Sequence, residues 1–331
     1  MSEIRVPRPR RRRPLRTVVG LLVLLAVIGY FAVQRASNGG GAPYCVASAQ
    51  ASAPGGSAET YEMSPEQAAN AATIAAVGIA KGLPDRAVTI ALATAMQESA
   101  LRNLDHGDRD SLGLFQQRPS MGWGTPEQIT DPVYSAAIFY DHLVDVPGYS
   151  RLPLTVAAQK VQRSGYPQAY AKHEPDATVL TAAFGGAGSV DCGGPAPTEP
   201  GDPQRVRDGL DRIFGKDALH TVRPQGEQAG QAGQAGRSTG GGGAEPEVTL
   251  VEKRDGGESA ARHSRAMAHW AVANSRELGI SRVSYGQREW VAGQDRGRWQ
   301  DRDGADAKNG ADDPRGAGPG EVRIFLSRGT R

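Results

Sequence analysis

The chain has 331 residues, a length that accommodates about two domains each able to bury its own core. A net charge of +2 excludes a chain-wide basic or acidic surface as a clue to partners, so the distribution of charge carries the information. The only two cysteines, Cys45 and Cys192, exclude a cysteine-dense scaffold.

Residues 1–16 hold seven arginines (Arg5, Arg8, Arg10, Arg11, Arg12, Arg13 and Arg16). Residues 17–33 follow without a charge and are mostly Val, Leu, Ala and Ile, which reaches the lower limit for a membrane-spanning helix. Basic residues before such a run place its N-terminal side in the cytoplasm. An arginine run also suits nucleic acid, but beside an apolar segment it reads as a topology signal, and no nucleic-acid partner is expected. A cleaved signal peptide shares this pattern. Gln34-Arg35, rather than small residues, follows the apolar run, which favours an uncleaved anchor. Either reading exports residues 36–331, where an even cysteine count favours a Cys45–Cys192 disulfide at the two ends of one domain.

Residues 34–63 are small and polar and read as a tether. Ser64-Pro65-Glu66-Gln67 is a helix start, with a Ser cap, Pro in the first turn and Gln at the third position. The helix runs to Gly82, and a second one, rich in Ala, spans from Leu83-Pro84-Asp85 to Glu98. Further helices are expected over 131–143, 153–163 and from 175. The strand signal between 64 and 184 is poor, so 64–192 reads as a mainly α domain. Pro-rich and Gln-Ala-Gly segments make 193–246 a linker, with a short amphipathic helix over 204–220 inside it. Residues 247–331 read as a small α/β domain. It has a helix over 259–278, strands at 280–285, 288–291 and 322–326, and a polar insertion at 300–320.

Glu98 closes the buried-looking run Ala87 to Met96, and Gly113-Leu114-Phe115-Gln116 follows it. A carboxyl at the end of an apolar helix gains a raised pKa by desolvation, which a proton donor to a glycosidic oxygen needs. Asp105, Asp108 and Asp110 read as solvated turn residues, since their loop lacks the twelfth-position Glu of a calcium hand. Asp108 or Asp110 would instead supply the second carboxylate of a hydrolase. Trp123, between two glycines, is either core or a platform for sugar stacking.

Met96-Gln97-Glu98-Ser99 together with Gly113-Leu114-Phe115-Gln116 resembles the Glu-Ser and Gly-Leu-Met/Phe-Gln motifs of soluble lytic transglycosylases, in the lysozyme-like superfamily. The resemblance covers about residues 65–185. It implies a lysozyme-like fold, with Glu98 as sole acid and base, Ser99 and Gln116 shaping a glycan cleft, and Gly113 permitting close backbone approach. It also implies cleavage between N-acetylmuramic acid and N-acetylglucosamine in peptidoglycan, closing a 1,6-anhydro ring without cofactor or metal. The family's third motif, Ala-Tyr-Asn-x-Gly, departs here to Ala158 through Gly165, with Val161 and Gln162 at the Tyr and Asn places. Gln162 and Tyr166 then join the expected cleft lining, with Tyr166 or Tyr170 as the stand-in for the missing tyrosine. The alternative implied by that departure is a catalytically weak, peptidoglycan-binding scaffold.

His269-Trp270-Ala271-Val272-Ala273-Asn274 with Val283-Ser284-Tyr285 resembles a small module that follows cell-wall hydrolase domains in actinobacterial proteins and is distantly similar to zinc-dependent D-Ala-D-Ala peptidases. Trp290 and Trp299 fit its second strand and the loop behind it. Its final strand carries Glu321 and Arg323 where the metal-binding relatives have His-x-His, and His263 and His269 are six apart. No zinc is therefore expected, and the module reads as an accessory that binds wall or an envelope protein. The whole reads as a single-pass cell-membrane protein whose C-terminal domains face the cell wall.

Overall fold

The computed structural model describes residues 42–50, 58–165, 167–216, 219–222, 246–252, 257–301 and 320–329. The basic segment 1–16, the apolar run 17–33, Tyr166, the Gln-Ala-Gly repeats and nearly all of the polar insertion lie outside them. Among the described residues no helix is long and apolar enough to cross a membrane.

The fold is mixed α/β. Strands β1 (Tyr44–Ala49) and β2 (Glu59–Met63) precede helix α1 (Pro65–Ala80), whose Ser64 cap and Gln67 form a reciprocal capping box. Helix α2 (Asp85–Ser99) buries Ala87 through Met96. Then come α3 (Pro126–Ile129), α4 (Pro132–Val144), started by the Asp131 side chain accepting from Val133 and Tyr134 N–H, and α5 (Leu154–Gln162). A 3-10 segment at Pro167–His173 leads into α6 (Glu174–Gly185) and strand β3 (Gly188–Gly193). The remaining elements are α7 (Pro203–Phe214), β4 (Leu219–Val222), β5 (Glu247–Glu252), α8 (Glu258–Ala273), α9 (Ser275–Leu278), β6 (Ile280–Tyr285), β7 (Arg288–Val291), β8 (Gln300–Asp301) and β9 (Glu321–Leu326).

Two antiparallel sheets result, one ordered β2-β1-β3 and the other β4-β5-β9-β6-β7-β8. Part of the 34–63 stretch, expected as a tether, thus supplies two strands of the first sheet. Alternation in Tyr44-Cys45-Val46-Ala47 buries Cys45 and Ala47, and Cys45 lies opposite Cys192 in the register. The disulfide between them is formed, joining strands 147 positions apart in sequence.

The 193–246 stretch is also not linker throughout. Helix α7 buries Val206, Leu210, Ile213 and Phe214, an apolar stripe sufficient to hold it on the core. The described residues from Pro43 onward fall in one compact unit. Helix α8 packs against α1 and α6, burying Met267, Trp270, Ala271 and Val272. Polar clamps add to this: Trp299 donates to Val190 O at 3.0 Å and, through its backbone N–H, to Asp191 Oδ1 at 3.1 Å. Arg262 donates to Leu83 O at 3.0 Å and pairs with Asp85.

Candidate active site

Glu98 occupies the last turn of α2, half-buried, with the chain leaving abruptly behind it. Ala100 and Leu101 both adopt left-handed backbone, at φ 53° and 61°, and turn their N–H groups back to Met96 O and Ala95 O. The freed carbonyls are caught by α1, where Gln67 Nε2 donates to Ala100 O at 2.9 Å and Asn70 Nδ2 to Leu101 O at 2.8 Å. The carboxylate is thereby held at a braced helix end.

The Gly113–Gln116 segment is a tight turn closed by paired backbone bonds between Leu112 and Gln117. Leu114 and Phe115 are fully buried, and the Phe115 ring stacks on Phe139 at 4.6 Å between centroids. Two side chains pin the turn's carbonyls. Ser99 Oγ donates to Leu114 O at 2.8 Å, and Gln162 Nε2 donates to Phe115 O at 2.7 Å. Gly113 stands at φ +73°, and a Cβ there would meet Ile129 O at 2.4 Å. Gly107 leaves room for the Gln116 side chain, whose Oε1 would lie 1.9 Å from a Cβ. Gln116 itself takes φ 47° and donates to both His106 O and Gly113 O at 3.3 Å.

Tyr170, fully buried, donates its hydroxyl to Glu98 Oε1 at 2.5 Å. Burial pushes the Glu98 carboxyl above its ordinary pKa, while hydrogen bonds from Tyr170 and then Gln162 oppose the rise without cancelling it. Burial, followed by the charge of Glu98 and its hydrogen bond, raises Tyr170 above the usual tyrosine range, so it stays a donor. Beside this pair His173 meets Gln97 Oε1 at 3.2 Å, and burial lowers its pKa.

A cleft of about 860 Å³ opens over Glu98, with Gln116, Trp123 and Gln162 among its walls. Four of the residues expected at the site therefore share one space. Ser99 and Gly113 do not line it; they lie beneath, holding the turn. Tyr166 lies outside the described residues, and Tyr170 takes the place beside the carboxylate. Trp123 is only partly buried and packs its ring 4.4 Å from that of His142. Asp110 is committed elsewhere, accepting from Arg118 Nε at 2.7 Å and Ser120 N–H at 2.8 Å, which holds its pKa far below the carboxylate range. Asp108 lines the cleft. Of the seven non-glycine residues with positive φ among the described residues, Arg109, Gln116 and Arg163 line this cleft, the local strain often seen at functional sites.

Among the described residues no group of three His, Cys, Asp or Glu is arranged to hold a metal. In the C-terminal part His263 Nδ1 meets Ser259 O at 2.7 Å, and His269 is buried edge-on to Trp299. Glu321 and Arg323 bond each other at 2.8 Å. Compared with known proteins, the chain matches no protein-family model and no curated protein.

Proposed function

We propose that the chain is a lytic transglycosylase with a lysozyme-like helical domain, cleaving the bond between N-acetylmuramic acid and N-acetylglucosamine in peptidoglycan. The observation that carries this reading is the Glu98–Tyr170 hydrogen bond beside a cleft of about 860 Å³ that Glu98 lines. The altered third motif removes a tyrosine from position 161, yet Tyr170 bonds the carboxylate from the next segment and Gln162 supports it.

The chemistry follows from one carboxyl used twice. Tyr170 donates to Oε1, and in this reading Oε2 carries the acidic proton. Glu98 delivers that proton to the leaving glycosidic oxygen as the C–O bond breaks through an oxocarbenium-like state. The carboxylate, now anionic, takes the proton of the muramyl 6-hydroxyl, whose oxygen closes on the anomeric carbon. Glu98 ends protonated, the products are a 1,6-anhydro end and a free 4-hydroxyl, and no water is consumed. Burial keeps the acid protonated until substrate arrives, the two hydrogen bonds stabilise the anion formed as the proton leaves, and burial in turn keeps that anion basic enough to take the 6-hydroxyl proton.

The setting proposed is a cell membrane anchor through residues 17–33, with the N-terminus cytoplasmic and the described unit facing the wall. The C-terminal elements then serve as an accessory to wall binding or to an envelope partner. The alternative scaffold role separates from the enzyme by comparing wild type with Glu98→Gln on purified peptidoglycan. An enzyme releases soluble fragments in the wild type and none in the variant, while both still bind. Equal binding with no release by either would establish the scaffold instead.

A further inference from the structure

The cleft lining mixes two kinds of side chain. Met121, 59% exposed, Trp123 and Val146 are apolar or aromatic. Lys160 and Arg163, at the last turn and cap of α5, and Arg109, on the Asp108–Ser111 loop, are cationic. A fourth cation, Arg118, is already engaged by Asp110 and Ser120. Among the described residues Arg109 pairs with Asp108 at 4.0 Å, with both side chains largely exposed, a pairing of negligible strength. Lys160 and Arg163 form no ion pair among the described residues and are exposed. The two acids of the lining besides Glu98 are Asp108 and Asp145, and Asp145 belongs to the end of α4 next to Val146.

Position makes these cations more than solvated charge. Lys160 and Arg163 flank Gln162, the residue that pins Phe115 O and supports Glu98. Arg163 caps α5 in left-handed backbone at φ 52°, a place where Gly or Asn costs less. A basic residue near a helix C-terminus is favourable for the dipole, which accounts for Lys160 but not for a strained arginine over a relaxed glycine.

We infer that Lys160 and Arg163, with Arg109, form a subsite for an anionic substituent of the glycan strand, a carboxylate or phosphodiester carried near the scissile bond. This rests on the glycan-strand reading of Glu98. The subsite sets which strands are taken, while Glu98 sets what is done to them.

The test is equilibrium binding of the full chain bearing Glu98→Gln, so that strands are not consumed, at low salt. The strands are offered in three forms: untreated, with carboxylates converted to amides, and stripped of phosphodiester polymer. Loss of the anion is expected to weaken binding about tenfold, since two exposed charge contacts each contribute about threefold. Whichever treatment has that effect identifies the anion. K160Q/R163Q should bind all three forms within about twofold of one another, and K160E/R163E should reverse the preference, which a merely misfolded variant would not do. A preference surviving in K160Q/R163Q, or none in the parent, overturns the subsite. Preferential binding without anhydro products from the chain with Glu98 intact would leave the subsite standing and remove the transglycosylase reading.

Discussion

Replacing Tyr170 by Phe removes one hydroxyl from a fully buried side chain and leaves its ring packing in place. The lost contact is the 2.5 Å donation to Glu98 Oε1, a hydrogen bond to a group that carries charge in its anionic form. Such bonds contribute about 1.5–3 kcal/mol, and about 1.4 kcal/mol corresponds to one pH unit in a titration midpoint. The bond favours the carboxylate, so its loss adds to the upward push that burial already exerts. The Glu98 titration midpoint should therefore move further upward in Tyr170→Phe. Carboxyl-carbon NMR on glutamate-labelled protein reads this directly, and it does so whether or not turnover occurs. The pH–rate profile should follow, its alkaline limb moving up as well while the rate at the optimum falls, because the anion formed as Glu98 gives up its proton has lost this hydrogen bond. An unchanged midpoint would refute the claim that Tyr170 tunes the acid. A downward move would show that burial of Glu98 depends on the hydroxyl.

Three further outcomes test the scaffold around the site. Gly113→Ala places a Cβ against Ile129 O at φ +73° and should cost about 3 kcal/mol in a denaturant titration; a midpoint matching wild type would mean the turn shifts freely. Cys45→Ser with Cys192→Ser opens a link spanning 147 positions and should destabilise by up to about 5 kcal/mol on the chain-entropy account, read as a lower urea midpoint than the oxidised wild type. His269 is buried neutral, its pKa lowered to about 3 by burial first and then by Arg288 and Arg265. The unfolded chain binds this proton near pH 6.5 and the folded one does not. Its contribution is therefore complete above pH 6.5 and is lost as pH falls toward 3, at no more than about 1.4 kcal/mol per pH unit. His269→Phe should flatten the stability curve between pH 6.5 and 4.5, and an identical acid slope in that variant would assign the loss to other groups.

Much of the helical framework was legible because its signals are local. The Ser64-Pro65-Glu66-Gln67 start forms the capping box that its spacing implies, and Gly279 ends α9 in left-handed backbone as a C-terminal glycine does. Strands β1, β2 and β3 were not legible. They are five or six residues long, and their pairing depends on partners such as Cys45 and Cys192 that meet only after the intervening helices fold. The packing of α7 on the core was hidden for a related reason, since Pro-rich flanks dominate a composition window that also contains Val206, Leu210 and Phe214. At the site, the glutamate and the turn announced themselves by motif. Ser99 and Gly113, expected to shape the cleft and to let the backbone approach closely, make contacts that sequence spacing does not specify, Ser99 with Leu114 O and Gly113 against Ile129 O. Tyr170 could be offered only alongside Tyr166, because a 3-10 segment has no periodicity long enough to fix which tyrosine faces α2.

In the proposed reaction the half-buried Glu98 carboxyl cleaves the strand without water. Digestion of purified peptidoglycan by the full chain in ¹⁸O-labelled water, followed by mass spectrometry of the released ends, tests it most directly. The expected products are 1,6-anhydromuramyl ends with no ¹⁸O, absent when Glu98→Gln is used. Reducing ends carrying one ¹⁸O would contradict it, showing hydrolysis with a second group, such as Asp108, activating water.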